Sequence, residues 1–95
     1  MIDEYYWEHY IMDTVAGTLI DEIRIGFGDT AAMWLEDSIR DELREITDTL
    51  LNFGTDEEAK KYWKDQGWER IRLYIRRLLD EYFQDLETLK QGQLE

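Results

Sequence analysis

Four acidic residues recur at a spacing that would gather them on one side of a helix. They are Asp37, Asp41, Glu45 and Asp48. Their separations of four, four and three residues predict a stripe about 16 Å long, at a rise of 1.5 Å per residue. One strand of DNA presents a phosphate roughly every 3.4 Å, about five over that length. The stripe is therefore either the ordinary solvated face of an amphipathic helix or a row of carboxylates that imitates phosphates.

Trp34 falls on the same side of this predicted helix by helical phase, away from the apolar side. Two interpretations stay open. The indole either packs against the glycine-containing break nearby, or it stands exposed as an anchor for a partner, since Trp is enriched at binding hot spots. Acidic residues of the preceding helix could add a second row of carboxylates.

A second charged segment mixes bases with aromatic rings. Its members are Lys60, Lys61, Lys64, Trp63, Trp68, Arg70, Arg72, Arg76 and Arg77, with Tyr62 and Tyr74 between them. Such a segment can bind a nucleotide or single-stranded nucleic acid, because rings stack on bases while cations hold phosphates. It can equally pair with the acidic helices, within the fold or across a dimer. We favour pairing, because residues 1–58 carry a net charge of −13 and residues 60–77 carry +5.

Residues that could catalyse a reaction are scarce. His9 is the single histidine, Ser38 the single serine, and there is no cysteine. Neither side chain has the neighbours of an activated nucleophile. Residues 26–28, Gly-Phe-Gly, are followed by Asp29, which would repel a phosphate. We therefore predict no enzyme and no cofactor.

A metal site is also not expected. Glu4 shares a helical face with Glu8, and His9 shares one with Asp13, but the two pairs point about 100° apart on an α-helix. Di-metal sites in helical bundles need a Glu-x-x-His motif on each of two helices, and the sequence has none. We expect His9 to be partly buried beside aromatic neighbours.

The elements that would position these residues are predicted from glycines and apolar periodicity. Proline is absent, and the glycines divide the chain into helices near 3–24, 30–53, 55–66 and 68–90. This pattern predicts one all-α domain over 1–95, a small bundle of three long helices and one short helix.

The second predicted helix has the clearest signals. Its apolar seam is Leu35, Ile39, Leu43, Ile46, Leu50 and Phe53. Asp29 or Thr30 should cap its start, and Gly54 should end it in a left-handed conformation. Thr55 and Glu58 form a capping-box pattern that begins the next helix.

The last predicted helix carries a comparable seam. Its members are Trp68, Ile71, Ile75, Leu78, Tyr82, Leu86 and Leu89. Leu79 widens this seam, which predicts an amphipathic helix of the bundle.

The net charge of the whole chain limits the kinds of partner it can bind. The net charge is −12, so we do not expect direct binding of nucleic acid. No apolar run approaches the roughly 18 residues of a membrane span, and Met1-Ile2-Asp3-Glu4 has no basic leader. We expect a soluble cytoplasmic protein, in the host cell if it is viral, with no membrane contact.

Three functional hypotheses follow. The first is a protein-binding inhibitor whose acidic helical face blocks the nucleic-acid groove of a basic effector. In size, acidity, aromatic content and helicity the chain resembles the general type of phage-encoded anti-restriction and anti-CRISPR proteins, some of which mimic DNA. The second is a structural or adaptor bundle that forms homo-oligomers. The third is a nucleotide or single-strand binder that uses the 60–77 segment.

Overall fold

The computed structural model describes the backbone of residues 1–94 and the side chains of residues 1–92. Within that range the chain forms helices and no β-strand, so the all-α prediction is confirmed. We label the helices α1 to α3. Helix α1 covers residues 4–27 and is formed by Glu4–His9, the π-helical Tyr10–Val15 and Ala16–Phe27, and helix α2 is Asp29–Leu51. Helix α3 covers residues 56–94 and is formed by Asp56–Tyr62, the π-helical Trp63–Gly67 and Trp68–Leu94. No helix of the described chain has the length and apolarity to cross a bilayer.

The prediction of a separate short helix is wrong, because the helices predicted near 55–66 and 68–90 are one continuous helix. Gly67 does not end a helix but closes the π-helical turn Trp63–Gly67. The indole of Trp63 lies over it, and a Cβ atom added at Gly67 would come within 2.6 Å of Trp63 Cε3. Glycine is therefore required at position 67 for close packing. In the sequence, however, it cannot be distinguished from a glycine that ends a helix.

Gly28 makes the turn between α1 and α2. Its φ of 100° and ψ of 166° belong to a region that other residues rarely adopt. Gly28 is itself the N-cap residue of α2, and no side chain caps that end. The predicted caps Asp29 and Thr30 are therefore wrong, and Asp29 instead pairs with Arg24 of α1 across the turn, at 3.3 Å.

The end of α2 also differs from the prediction. The helix ends at Leu51, and the N–H groups of Asn52 and Phe53 each donate to the carbonyl three residues earlier at 3.2 Å. This tightened last turn satisfies the terminal carbonyls without a left-handed residue, and Gly54 does not have a positive φ. Thr55 is confirmed as the N-cap of α3, since its Oγ1 accepts from the Glu58 N–H at 3.2 Å.

The core lies around α2, which packs against both α1 and α3. The predicted seam of α2 is buried from Leu35 to Leu50. The largest fully buried side chains are Trp7, Ile11, Ile39, Leu43, Ile46, Leu50 and Ile71. Each buried aliphatic chain of this size stabilises the fold by about 1.5–3 kcal/mol.

Only part of the predicted seam of α3 packs on the bundle. Ile71 and Ile75 are buried and Tyr82 is half-buried, but Leu86 and Leu89 are 37% and 63% exposed. The 23 residues of α2 span about 35 Å at 1.5 Å per residue, whereas the molecule is 60 Å long. The last turns of α3 therefore project beyond the other two helices, and they carry Leu86 and Leu89 of the predicted seam.

A carboxylate joins the N-terminal ends of α1 and α3. Asp56 Oδ1 accepts from the Asp3 N–H at 2.9 Å and from the Trp7 Nε1–H at 3.1 Å. The backbone bond from Asp3 is the main cause that lowers the pKa of Asp56, with the Trp7 bond adding to it. Asp3 in turn caps α1 by accepting from the Tyr6 N–H at 3.0 Å. These bonds fix where α1 begins relative to α3.

Candidate protein-binding surface

The outward side of α2 carries the acidic stripe, and we call it the acidic face. Its members are Trp34, Asp37, Asp41, Glu45 and Asp48, all exposed. Ile39 and Leu43, on the opposite side of the helix, are fully buried. The fold therefore places the whole stripe in solvent.

Trp34 stands at the N-terminal end of this face. Its side chain is 72% exposed, so it does not pack against the break at Gly28. An exposed indole is costly to leave in water, since burying a large apolar side chain is worth about 1.5–3 kcal/mol. Trp34 is therefore exposed, and its role as an anchor for a partner stays a prediction.

Carboxylates of α1 extend the acidic face. A shallow groove of about 440 Å³ between α1 and α2 is lined by Glu8, His9, Met12, Asp13, Arg44, Thr47 and Asp48. It therefore brings Glu8 and Asp13 of α1 beside Asp48 of α2. Thr47 is buried at its base and donates to the Leu43 carbonyl at 2.8 Å. The groove holds three carboxylates, Arg44 and His9, and Asp13 is hydrogen-bonded to His9 at 2.8 Å.

The sequence predicted a second row of carboxylates from helix α1 without naming its members. Glu8 lies in the α-helical segment Glu4–His9, and Asp13 lies in the π-helical turn Tyr10–Val15. A π turn has no reliable sequence signal, so the pattern alone could not show which acids of α1 line the groove.

An arginine braces this π turn. Arg40 of α2 donates from Nη1 to the Met12 carbonyl at 3.0 Å, and its other terminal nitrogen approaches Glu36 at 3.4 Å. The contact joins α1 to α2 beside the groove. The contact fixes the position of Met12, which lines the groove, along the axis of α2.

Two ion pairs partly neutralise the acidic face. Arg44 approaches Asp41 at 3.5 Å, and Arg70 of α3 approaches Glu45 at 3.3 Å. Both pairs are largely exposed, so each contributes at most about 1 kcal/mol and is screened by salt. Asp37 and Asp48 form no ion pair among the described residues. The face therefore keeps a net negative charge.

Arg70 also makes the strongest contact between the basic segment and α2. Its Nε donates to Glu42 Oε1 at 2.7 Å, and the Glu42 side chain is only 15% exposed. Burial alone would lower the pKa of Arg70, but the hydrogen bonds to Glu42 and Tyr62 outweigh it and raise the pKa above its usual value. Arg70 thus belongs to the α2–α3 interface.

The other arginines of the basic segment lie along α3 beside its own side chains. The Arg72 guanidinium lies 5.6 Å from the centre of the Trp68 ring, and that of Arg77 lies 5.3 Å from the Tyr74 ring. Arg76 is exposed. Internal neutralisation by acids of α2 therefore involves Arg70, while the remaining cations stay on the surface of α3.

The aromatic rings of the basic segment serve mainly as packing. Trp63 is only 9% exposed and meets Tyr10 of α1 edge-on at 6.4 Å. Trp68 is half-buried and packs against Trp63 at 5.5 Å. Lys60, Lys61 and Lys64 are exposed. Trp63, which sequence pattern offered as a stacking surface for a base, is thus occupied by the core.

His9 does not lie in an enclosed site. Its ring lies beside that of Tyr5, with the centroids 4.2 Å apart and the planes tilted by 47°. Its side chain is 55% exposed and hydrogen-bonds through Nδ1 to Asp13 at 2.8 Å, so the expectation of partial burial is wrong. No hydroxyl in the described chain hydrogen-bonds to this pair. The same part of the chain holds no group of three His, Cys, Asp or Glu side chains placed to bind a metal ion.

Comparison with models of protein families, with curated proteins and with solved structures finds no match.

Proposed function

We propose that this protein is a non-enzymatic inhibitor that binds a basic, nucleic-acid-binding effector through its acidic face. The face occupies the groove that the effector uses for nucleic acid. Asp37, Asp41, Glu45 and Asp48 take the places of successive phosphates, and Trp34 supplies an apolar anchor at one end.

The observation that carries this proposal is the exposure of the whole stripe together with an exposed tryptophan. Solubility alone would account for exposed carboxylates. It does not account for a Trp34 side chain left 72% exposed at the end of the same face. Tryptophan is among the residues most enriched at binding hot spots, where acidic rims serve orientation and approach.

The groove between α1 and α2 gives the face a second contact. Glu8, Asp13 and Asp48 line it, and we expect it to receive an arginine or lysine that normally contacts a phosphate. Charge-assisted hydrogen bonds of this kind are roughly twice as strong as neutral ones. A partner whose basic residues line a nucleic-acid groove therefore matches both the stripe and the groove.

The phage-encoded anti-restriction and anti-CRISPR proteins are the class of inhibitor we propose, on the likeness in size, acidity, aromatic content and helicity. The target would then be a restriction endonuclease or a guide-loaded CRISPR effector, and the site of action would be the cytoplasm of the host cell.

The proposal is tested with charge variants on defined probes. A restriction endonuclease and a guide-RNA-loaded CRISPR effector are each titrated with the protein, and displacement of a fluorescent DNA duplex is followed. The triple variant D37N/D41N/D48N should weaken displacement at least 10-fold and flatten its dependence on salt. The control variant E22Q/E57Q/E69Q removes three exposed charges outside the acidic face and should behave like the native protein.

Equal weakening by the two variants would refute the proposed face, because net charge alone would then explain binding. Failure of both probes to bind would refute the proposed class of target. The third hypothesis is examined on the same material by titrating tryptophan fluorescence with single-stranded oligonucleotides. A saturable change that is abolished by K60E/K61E/K64E would favour that hypothesis instead.

A further inference from the structure

The projecting end of α3 carries an apolar side that the rest of the described chain does not cover. Tyr82, Leu86 and Leu89 are spaced four and three residues apart, so they share one side of the helix. The buried Ile71 and Ile75 lie on the same side. Tyr82 is half-buried, whereas Leu86 and Leu89 are 37% and 63% exposed. We call Tyr82, Leu86 and Leu89 the apolar end of α3.

The contact between Phe27 and Phe83 marks the end of the three-helix region. The two ring centres lie 5.6 Å apart, and Phe27 is the last residue of α1. Beyond this contact α3 continues to Leu94. A helix gains most of its stability in a protein from packing of its apolar side. The apolar end therefore suits one further helix, which would continue the packing that α2 gives to the earlier turns of α3.

The charged side chains around the apolar end are mainly acidic. On one edge, Asp80, Glu87 and Lys90 line a groove of about 660 Å³ that also contains Phe83, Gln84 and Leu86. By helical phase Glu81 and Asp85 lie on the other edge, where Arg77 approaches Glu81 at 3.9 Å. Four carboxylates against these two cations leave a net charge of −2.

Two further cations lie on the part of α3 that is inside the three-helix region. Arg72 and Arg76 line a groove with Phe27 and Phe83, and Asp80 lies in the same groove. The nearer of the two, Arg76, precedes Leu86 by ten residues, about 15 Å along the helix. These arginines therefore do not neutralise the surroundings of Leu86 and Leu89.

A second copy of this chain does not complement the apolar end. Antiparallel pairing about Phe83 would set Arg76 opposite Lys90 and Glu81 opposite Asp85, so like charges would meet. A parallel copy in register would set every charge opposite itself. Like charges across an interface disfavour association. The same carboxylates would repel an anionic lipid surface, whereas a helix with basic edges would meet unlike charges.

We propose that the apolar end of α3 binds a basic amphipathic helix of a partner protein. The apolar side of that helix packs on Leu86 and Leu89, and its lysine or arginine side chains face Asp85 and Glu87. Binding of this kind combines apolar anchors spaced three and four residues apart with charges that orient the approach. The surface is separate from the acidic face on α2, and the inference does not rest on the proposed inhibition.

A synthetic leucine–lysine peptide tests the proposal on the full chain. The probe is a fluorescent amphipathic helix of about 14 residues, or four turns, and its binding is followed by anisotropy. L86A/L89A should weaken binding by about 10-fold or more, because both apolar contacts are lost while alanine keeps the helix. L73A is the matched control: Leu73 is 56% exposed on another side of α3, and this variant should bind like the native protein.

Charge variants separate this surface from the acidic face. D85N/E87Q should weaken binding of the peptide and flatten its dependence on salt, whereas D37N/D41N/D48N should leave both unchanged. Circular dichroism verifies that each variant remains helical. A native protein that does not bind the peptide would overturn the proposal. So would equal binding by L86A/L89A and the native protein, or a loss confined to D37N/D41N/D48N.

The two other occupants are tested on the same variants. Sedimentation equilibrium that shows a native dimer, dissociated in L86A/L89A, would mean that a second copy covers the apolar end. Vesicles of phosphatidylglycerol that bind the native protein but not L86A/L89A would assign the surface to a membrane. Either result would overturn the proposal, which predicts a monomer that does not bind the vesicles.

Discussion

Two glycines inside helices have opposite roles at the residue scale. Gly17 and Gly67 both lie in continuous helices, and their sequence contexts do not distinguish them. A Cβ atom at Gly17 would meet nothing within 4 Å, whereas one at Gly67 would meet the Trp63 ring at 2.6 Å and Ile46 at 3.6 Å. The first glycine is a weak point of α1, and the second is a packing requirement.

Alanine substitution at these two positions should therefore change stability in opposite directions. Gly17→Ala should raise the free energy of unfolding by about 0.5–1 kcal/mol, because alanine loses less conformational entropy in a helix. Gly67→Ala should lower it by about 1–3 kcal/mol through overpacking against Trp63. Urea denaturation followed by circular dichroism measures both. A stabilising Gly67→Ala would contradict the described packing of Trp63.

The hydrogen bonds of Asp56 predict that the stability of the protein depends on pH. Its pKa is lowered in the folded protein from the usual 3.8, so its ionised form contributes stability at pH values above about 4. That contribution is lost as the pH falls through the lowered pKa. Asp56→Asn should therefore be less stable than the native protein at neutral pH, and the difference should shrink in acid below the lowered pKa.

Thermal unfolding over that pH range measures the effect, with Glu57→Gln as the control that should show no such convergence. Glu57 neighbours Asp56 and is exposed, so it tests for a general effect of charge at this helix end. If the difference between native protein and Asp56→Asn were the same at all pH values, the bonds from Asp3 and Trp7 would not require the charged carboxylate.

At the scale of the element, the N-cap of α3 predicts how a substitution at Thr55 changes stability. Thr55 accepts from the Glu58 N–H, and replacing an N-cap threonine by alanine costs about 1 kcal/mol. Thr55→Ala should lower the midpoint of urea denaturation accordingly, whereas Thr55→Ser should have little effect. An unchanged midpoint in Thr55→Ala would mean that backbone geometry alone sets the start of α3.

The sequence predicted elements well where periodicity and capping agree. The seam from Leu35 to Leu50 defines α2, and Thr55 marks the start of α3. Prediction from the sequence failed where a close tertiary contact determines the structure. No sequence pattern distinguishes a glycine that ends a helix from one that is needed for close packing. Gly67 was predicted to end a helix for that reason, and the π turn of α1 was not predicted at all.

The residues of the candidate binding surface could likewise be predicted only in part. Exposure of Asp37, Asp41, Glu45 and Asp48 follows from helical phase alone. A second row from α1 was also expected, but the periodicity did not identify Glu8 and Asp13 as its members. The sequence likewise assigned Leu86 and Leu89 to the core, because a continuous apolar seam does not show where neighbouring helices end.

At the scale of the whole molecule, charge and apolar surface are divided between two regions. The acidic face lies on α2 with the groove against α1, and the exposed apolar side chains of Leu86 and Leu89 lie on the projecting end of α3. We propose that the first region steers the approach to a basic partner, so the rate of association should fall as the ionic strength rises.

Competition between this protein and DNA for one groove tests the proposed inhibition. Binding of the protein to an effector that it inhibits is measured by fluorescence anisotropy at increasing concentrations of the effector's DNA duplex. If the acidic face occupies the DNA groove, the apparent Kd should rise linearly with the free DNA concentration, and no ternary complex should form at saturation. A ternary complex in which the effector holds the duplex and this protein together, with an unchanged Kd, would contradict it.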